Sequence, residues 1–389
     1  MTPTAIPAAE ASPAGAASPA AEPRPLRWLG GPSPFGLALP DASPSPTTMY
    51  APRGVCLTPD ALIAADTGNH RLLVWHGLPA EDHSPADVVI GQPDMTSERP
   101  GLLFLPTGLC VCEGRLVVAD SWHHRVLVWD DIPDGPDRAP DTVLGQDDLD
   151  GVEEGCAPQR FYWPFGVAVV EGWFFVADTG NRRVLGWAGG IPDPGQAADV
   201  VVGQADLWSR GENRDGPPAA DSLRWPHALT SVSGRLMVAD AGNHRVLGWD
   251  LDTLTSIGSG GDGGTASVVI GQPDFATTAE FPYRPQGPRA LRFPYAVASG
   301  ADSTLYVADT SNNRVAVIYD ASSTLNASPV GAAVDRILGQ PDPDANGENR
   351  WDRVRHDSFC WPYGLSFNDG LLAVADSGNN RVVVWETGG

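Results

Sequence analysis

The sequence predicts an all-β chain folded as a six-bladed β-propeller, and three observations in its 389 residues carry that prediction. The first is a recurrence. An apolar run ending in Ala-Asp comes six times, at Asp66, Asp120, Asp178, Asp240, Asp309 and Asp376. An Arg follows five residues later each time, at Arg71, Arg125, Arg183, Arg245, Arg314 and Arg381. Successive Asp residues lie 54, 58, 62, 69 and 67 positions apart, and self-similarity at such periods marks a repeat architecture. The second is the texture of each repeat: four short apolar runs bounded by Gly, Asn, Asp and Pro, with no sustained helical period, which read as strands. Four-stranded units repeated radially describe a propeller. The third is an imbalance at the two ends. Five Gly-Gln strands occur, at Gln92, Gln146, Gln204, Gln272 and Gln340, while the sixth repeat runs only to its third strand at Trp385.

In chain order, residues 1–24 are mostly Ala, Pro and Ser, without the basic and apolar regions of a signal peptide, and read as a disordered tail. Residues 25–389 read as the propeller. Arg27-Trp28-Leu29-Gly30-Gly31-Pro32 aligns with Val88-Val89-Ile90-Gly91-Gln92-Pro93, a fourth strand. This spare strand is expected to complete the last blade and cover its edge. Each repeat then opens on an aromatic-Pro step into a first strand, as in Trp163-Pro164-Phe165-Gly166-Val167. A second strand ends in Ala177-Asp178, a turn follows at Thr179-Gly180-Asn181, the third strand runs from Arg183 to Trp187, and the fourth ends at Gly203-Gln204. Three connections are long, at 208–222, 250–267 and 343–358; loops of that length are often functional.

The stretch Val-Ala-Asp-Thr-Gly-Asn-x-Arg-Val-Leu closely resembles the NHL repeat, and the resemblance covers roughly Leu26 to Trp385. It implies the propeller fold. For function it implies only a range, since NHL propellers include lyases, RNA binders, sensors and protein-docking platforms. The Gly-Gln-x-Asp style resembles bacterial members associated with hydrogenase gene clusters, which implies an accessory role in assembling a redox enzyme. The second copy departs from the pattern, reading Asp120-Ser121-Trp122-His123-His124-Arg125.

Composition narrows the range. The formal net charge is −23, with 25 Arg and no Lys, which disfavours a nucleic-acid partner because phosphate binding needs a positive surface. No run of 18 apolar residues exists to span a membrane. A cytoplasmic monomer is expected. Of five cysteines, Cys56 and Cys110 share a small core position, and Cys110-x-Cys112 lies on a strand, a poor metal clip. Cys156 and Cys360 fall in loops on one face and could pair or bind metal, though a reducing compartment is the simpler reading.

The six Asp-Arg pairs occur in every blade and therefore read as scaffold, each a charge-assisted bond across a turn. The Trp series, Trp75, Trp129, Trp187, Trp249 and Trp385, reads as inter-blade packing, and His70, His124 and His244 as surface turn residues. The informative position follows the Pro that opens each first strand, the innermost of the blade. It holds Arg53, Thr107, Phe165, His227, Tyr295 and Tyr363, and before the Pro stand Ala51, Leu105, Trp163, Trp225, Phe293 and Trp361. This channel mouth lies on the face of the Asp-Arg turns, here called the top. A zinc lyase needs several converging His, and a calcium lactonase needs carboxylates; the mouth has one His and no carboxylate. No catalytic signature or cofactor motif appears. The most direct reading is non-catalytic binding of a protein or a carboxylate-bearing ligand on the top. The alternative is a lyase or hydrolase around His227, Tyr295 and Tyr363. The connections assigned to the bottom hold 15 acids against Arg138 alone, whereas the top loop 276–292 holds Arg284, Arg289 and Arg292 against Glu280. Arg289 and Arg292, beside Trp225, Phe293 and Trp361, are thus candidate partner contacts.

Overall fold

The computed structural model describes residues 22–36, 38–256, 260–300 and 302–387, so residues 1–21 of the tail lie outside the described residues. Six antiparallel sheets form the blades, each with its four strands in order from the inside outward. Blades 1 to 5 span 54–90, 106–144, 164–202, 226–270 and 294–338. Blade 6 takes its first three strands from 362–386 and its fourth from Arg24–Gly30, which pairs antiparallel with the strand ending at Glu386. The spare strand therefore closes the ring. It starts at Arg24, one residue earlier than the sequence boundary, because Arg24 and Glu386 pair at 2.6 Å.

Six apolar clusters fill the wedges between neighbouring blades. The Trp series lies in them, each ring at most 4% exposed. The connections also supply two short helices, Leu251–Ser256 and Ala321–Ala327, where the sequence showed only loop. Leu251 with Leu254, and Ala321 with Leu325, are spaced to bury one helical face against a seam.

The turns between second and third strands carry the strongest local chemistry. Every Asp and Arg of the six pairs is buried, with Arg Nε 2.7–2.8 Å from an Asp oxygen. The other Asp oxygen accepts a backbone N–H 2.6–2.9 Å away, from the loop that enters the blade. The guanidinium spends most of its remaining donors on carbonyls of that loop and of the loop leaving the blade: Arg71, for example, reaches Thr48 and Met95. The turn itself is one 3-10 turn, and the residue before each Arg sits at φ between 53 and 56°. That left-handed residue is not the Gly or Asn that the sequence suggested as the turn former.

His70, His124 and His244 occupy this left-handed position, and they are not free surface residues. Their Nδ1 atoms accept the backbone N–H of Leu105, Trp163 and Phe293 in the next blade, 3.1–3.2 Å away. Asn313 and Asn380 do the same with their side-chain oxygens towards Trp361 and Ala51. The left-handed turn aims the side chain across the seam, which the sequence alone does not show. Burial lowers the pKa of all three histidines, consistent with a neutral ring whose Nδ1 is an acceptor.

The connections between third and fourth strands also depart from expectation. They bend over the outer edge towards the top loops, so the amides of Ala86, Ala198, Ala266 and Val334 donate to Pro46, Pro158, Ala220 and Pro288. Asp262 of one connection pairs with Arg214 of a top loop at 2.8 Å. There an acidic connection and a basic loop meet at the rim.

Three outcomes are expected. Asp240→Ala leaves Arg245 buried without its partner and costs about 3–5 kcal/mol in urea unfolding. A chain starting at Gly31 loses the buried Leu29 and Trp28 and opens the last blade's edge. It melts roughly 5–10 °C below one starting at Glu22. The histidine staples predict acid sensitivity. A His whose folded pKa lies below its unfolded value of about 6.5 binds fewer protons folded than unfolded in that interval. Its stabilisation is complete above about pH 6.5 and is lost as pH falls through that value towards the folded pKa. The triple variant His70→Asn, His124→Asn, His244→Asn keeps an acceptor and should lose less stability than wild type between pH 7 and 5. Equal losses would show that the staples do not titrate.

Candidate functional site

The six first strands line a central channel of about 690 Å³. They approach closely: a Cβ at Gly54, Gly108, Gly166 or Gly364 would lie 1.9–2.5 Å from a carbonyl oxygen of the adjacent first strand. Glycine permits that approach in four blades, while Ala228 and Ala296 hold the position in blades 4 and 5. The wall is stitched at its top by hydroxyls, as Thr67, Ser121, Thr179 and Thr310 donate to the carbonyls of Pro106, Pro164, Pro226 and Pro362.

Above this stitch the residues after the Pro meet around the mouth. Phe165, His227, Tyr295 and Tyr363 form a run of neighbouring rings with centroids 4.7, 4.4 and 4.4 Å apart, the last pair stacked at 8°. The Arg53 guanidinium lies 4.9 Å over the Tyr363 ring. Thr107 is drawn inward instead, bonded to Ser121 and to the Phe165 carbonyl. Among the described residues, the Arg53 guanidinium has no carboxylate within ion-pairing distance.

Burial pushes His227 down to about 3, opposed by its bond to the Trp225 carbonyl, while Arg53 lowers it further. The ring is therefore neutral at pH 7. Its Nδ1 carries the proton, donated to the Trp225 carbonyl at 3.1 Å, which leaves Nε2 as an acceptor. Burial raises the Tyr295 hydroxyl, and Tyr363 adds to the effect, so both ring and hydroxyl stay uncharged. Arg53 thus supplies the positive charge in an otherwise neutral, aromatic ring.

The second circle of candidates is partly continuous with the first. Trp225 and Phe293 stack at 6.2 Å, and Phe293 lies 6.3 Å from Tyr295. Trp361 is 51% exposed. Arg289 and Arg292 are both bonded within the protein, though among the described residues only Arg292 meets an acid. Arg289 donates to the Gly331 carbonyl in a connection, and Arg292 pairs with Glu280 at 2.6 Å. Two residues escaped the sequence reading. Trp122 stacks on Trp163 at 5.3 Å and meets Phe165 at 6.2 Å, and Arg224 lies 5.1 Å over Trp225. The signal for Trp122 was present, since it replaces the Gly of the turn in the second repeat. That turn survives because His123 Nδ1 takes over the Asn contact to Asp120 at 2.8 Å.

All five cysteines are free, and burial raises the thiols of Cys156 and Cys360. Among the described residues no three His, Cys, Asp or Glu side chains converge as a metal site, and no helix is long and apolar enough to cross a membrane.

Comparison with known proteins agrees with this architecture. The family model of the NHL repeat matches residues 105–129 and 359–385. The NHL repeat-containing protein 2 of Bos taurus is 24% identical over 322 residues, covering 73% of this chain and 39% of that protein. The chain thus spans about two fifths of that relative. Two solved structures from Bacteroides thetaiotaomicron superpose with a TM-score of 0.53. One is an auxiliary nutrient binding protein, 10% identical, with 92% of this chain and 75% of that one covered. The other is a structural genomics protein of unknown function, 14% identical, with 92% and 74% covered. At such identities the likeness concerns the fold. The six Ala-Asp-x4-Arg turns and the closed ring of four-stranded sheets make this chain a six-bladed β-propeller, with the NHL repeat matched in two of its blades.

Proposed function

We propose that the protein is a non-catalytic binding scaffold that docks a carboxylate-bearing protein segment or ligand at the top mouth of the channel. The observation that carries this reading is Arg53, a guanidinium over Tyr363 with no acidic partner in a neutral aromatic ring. A planar guanidinium binds a carboxylate by two parallel N–H donors, and the flanking rings take up an apolar or aromatic body. The surroundings favour docking. Of the twelve most exposed large apolar side chains among the described residues, ten lie in top loops or at the mouth, Trp208, Tyr283, Trp351 and Trp361 among them. Exposed aromatic clusters mark interaction surfaces. With Arg289 and Arg292 bound within the protein, Arg53 becomes the leading polar contact.

The lyase or hydrolase reading is weaker at this site. A general base works best with a pKa near the working pH, and burial holds His227 at about 3. No carboxylate of the mouth stands beside it to stabilise an imidazolium. The identity of the partner, including the hydrogenase-associated role that the family resemblance suggests, is a question for affinity purification from the native host. With Arg53→Ala the captured partner should fall at least about tenfold, the range for a charged hydrogen bond of about 1.5–3 kcal/mol, with unfolding unchanged. Full retention of the partner by a folded Arg53→Ala variant would remove the mouth from the interface.

A further inference from the structure

The connection between the third and fourth strands of one blade lies across the outer edge of the blade before it. Gly261–Asp262, from the connection of blade 4, pairs in parallel with Val200 and Val201 of blade 3. Val330–Ala332, from blade 5, pairs likewise with Val269 and Ile270 of blade 4. His83, from blade 1, donates its amide to Trp28 of the closing strand at 2.8 Å. Each of the five connections also drives an aliphatic side chain into a seam: Leu78, Ile132, Ile191, Leu254 and Leu325. In four of them a connection carbonyl caps the indole N–H of the repeated Trp, at Ser84, Arg138, Gln196 and Gly264.

The seam between blades 5 and 6 has none of these features among the described residues. The third and fourth strands of blade 6 come from opposite ends of the sequence, so no connection joins them. Like Val88–Ile90 and Thr142–Leu144, the strand Arg336–Leu338 has no strand on its outer edge, but among the described residues it also has no connection laid across it. Beside it lies a cavity of about 220 Å³ lined by Pro23, Pro25, Ile337, Gln340 and Trp385. Trp385 Nε1 and Gln340 Oε1 are buried there without a hydrogen-bond partner, at residues only 4% and 5% exposed. A buried donor and a buried acceptor left unmade are costly, and an open strand edge beside them is a template for an added strand.

The covered seams show what fits. Three of the five plugs are aliphatic-proline steps: Leu78-Pro79, Ile132-Pro133 and Ile191-Pro192. The first 21 residues contain one such step, Ile6-Pro7, and Ile6 is their only large apolar residue after Met1. These residues precede the closing strand as each connection precedes its own fourth strand. The five plugs stand 9–14 positions before their fourth strands and Ile6 stands 18 before Arg24, so the leading residues have more chain than any plug needs to reach the seam. Glu22 lies 3.8 Å from Arg336, so the chain enters at the end of the open edge.

We propose that residues 1–21 dock in the slot between blades 5 and 6, with Ile6-Pro7 in the place of the plug that this seam lacks. Only the sequence of these residues enters, since they lie outside the described residues. The slot offers such a segment the outer edge of Arg336–Leu338, the indole N–H of Trp385 and the side-chain oxygen of Gln340. A segment too poor in apolar residues to form a core of its own can still order against a preformed slot, and its tether raises its effective concentration there.

The test compares the full chain, full-length Ile6→Asp, and a chain starting at Glu22. The readouts are solvent exchange of the Trp385 indole proton, assigned with Trp385→Phe, and of the amides of 336–338. Docking protects these protons in the full chain and lowers protection about tenfold or more in both variants. A synthetic peptide of residues 1–21 then restores protection to the shortened chain. Equal exchange in all three proteins overturns the proposal. An unrelated peptide with an Ile-Pro step that binds the full chain as tightly as the shortened one also overturns it, because the slot would then be open to partners. Neither result bears on Arg53, which lies at the channel mouth.

Discussion

The ring depends on a buried ion pair repeated six times. Burying a carboxylate and a guanidinium is favourable only when every remaining donor and acceptor finds a partner. Here each Asp binds its Arg, a backbone amide and, in most blades, an Asn, while the Arg reaches carbonyls in the loops before and after its blade. One pair thereby ties the turn to the loops that enter and leave the blade. The exception shows the rule. Gly31 stands where other blades have Gln, Arg381 Nη1 has no partner, and the guanidinium rests 4.0 Å over Trp28. The closing blade satisfies its ion pair less completely than the other five.

Because the pairs hold the turns, the residues beside them are free to join blades. Thr or Ser after the Asp stitches the inner wall, and His or Asn before the Arg staples the next blade's entrance. Side chains that look interchangeable within one repeat thus act between repeats. The same logic applies at the outer edge, where each connection serves the preceding blade, and it explains why, among the described residues, a ring closed by strands from both ends of the sequence has one seam without a connection.

The channel mouth is built on this frame. Six identical backbone positions converge, and the variation among their side chains makes the site: four rings side by side, one guanidinium and one inward Thr. Repetition sets the geometry, while divergence sets the chemistry. Burial keeps His227 and Tyr295 uncharged there, beside the Arg53 guanidinium.

The sequence by itself determined the blade count, the strand order, the strand that closes the ring and the position that lines the mouth. Those features are periodic or local: Asp66 to Arg71 is five residues in every copy, and the residue after the opening Pro holds the same place in each repeat. Only the tertiary structure decided which charges remain free. Arg292 and Arg53 look alike in sequence, yet Arg292 pairs with Glu280 while Arg53 meets no carboxylate among the described residues. Nor could sequence place His70 against Leu105, 35 residues away, or show that an acidic connection folds over a neighbouring blade's edge. Those outcomes depend on distances between segments remote in the chain, which closure of the ring sets and no local pattern records.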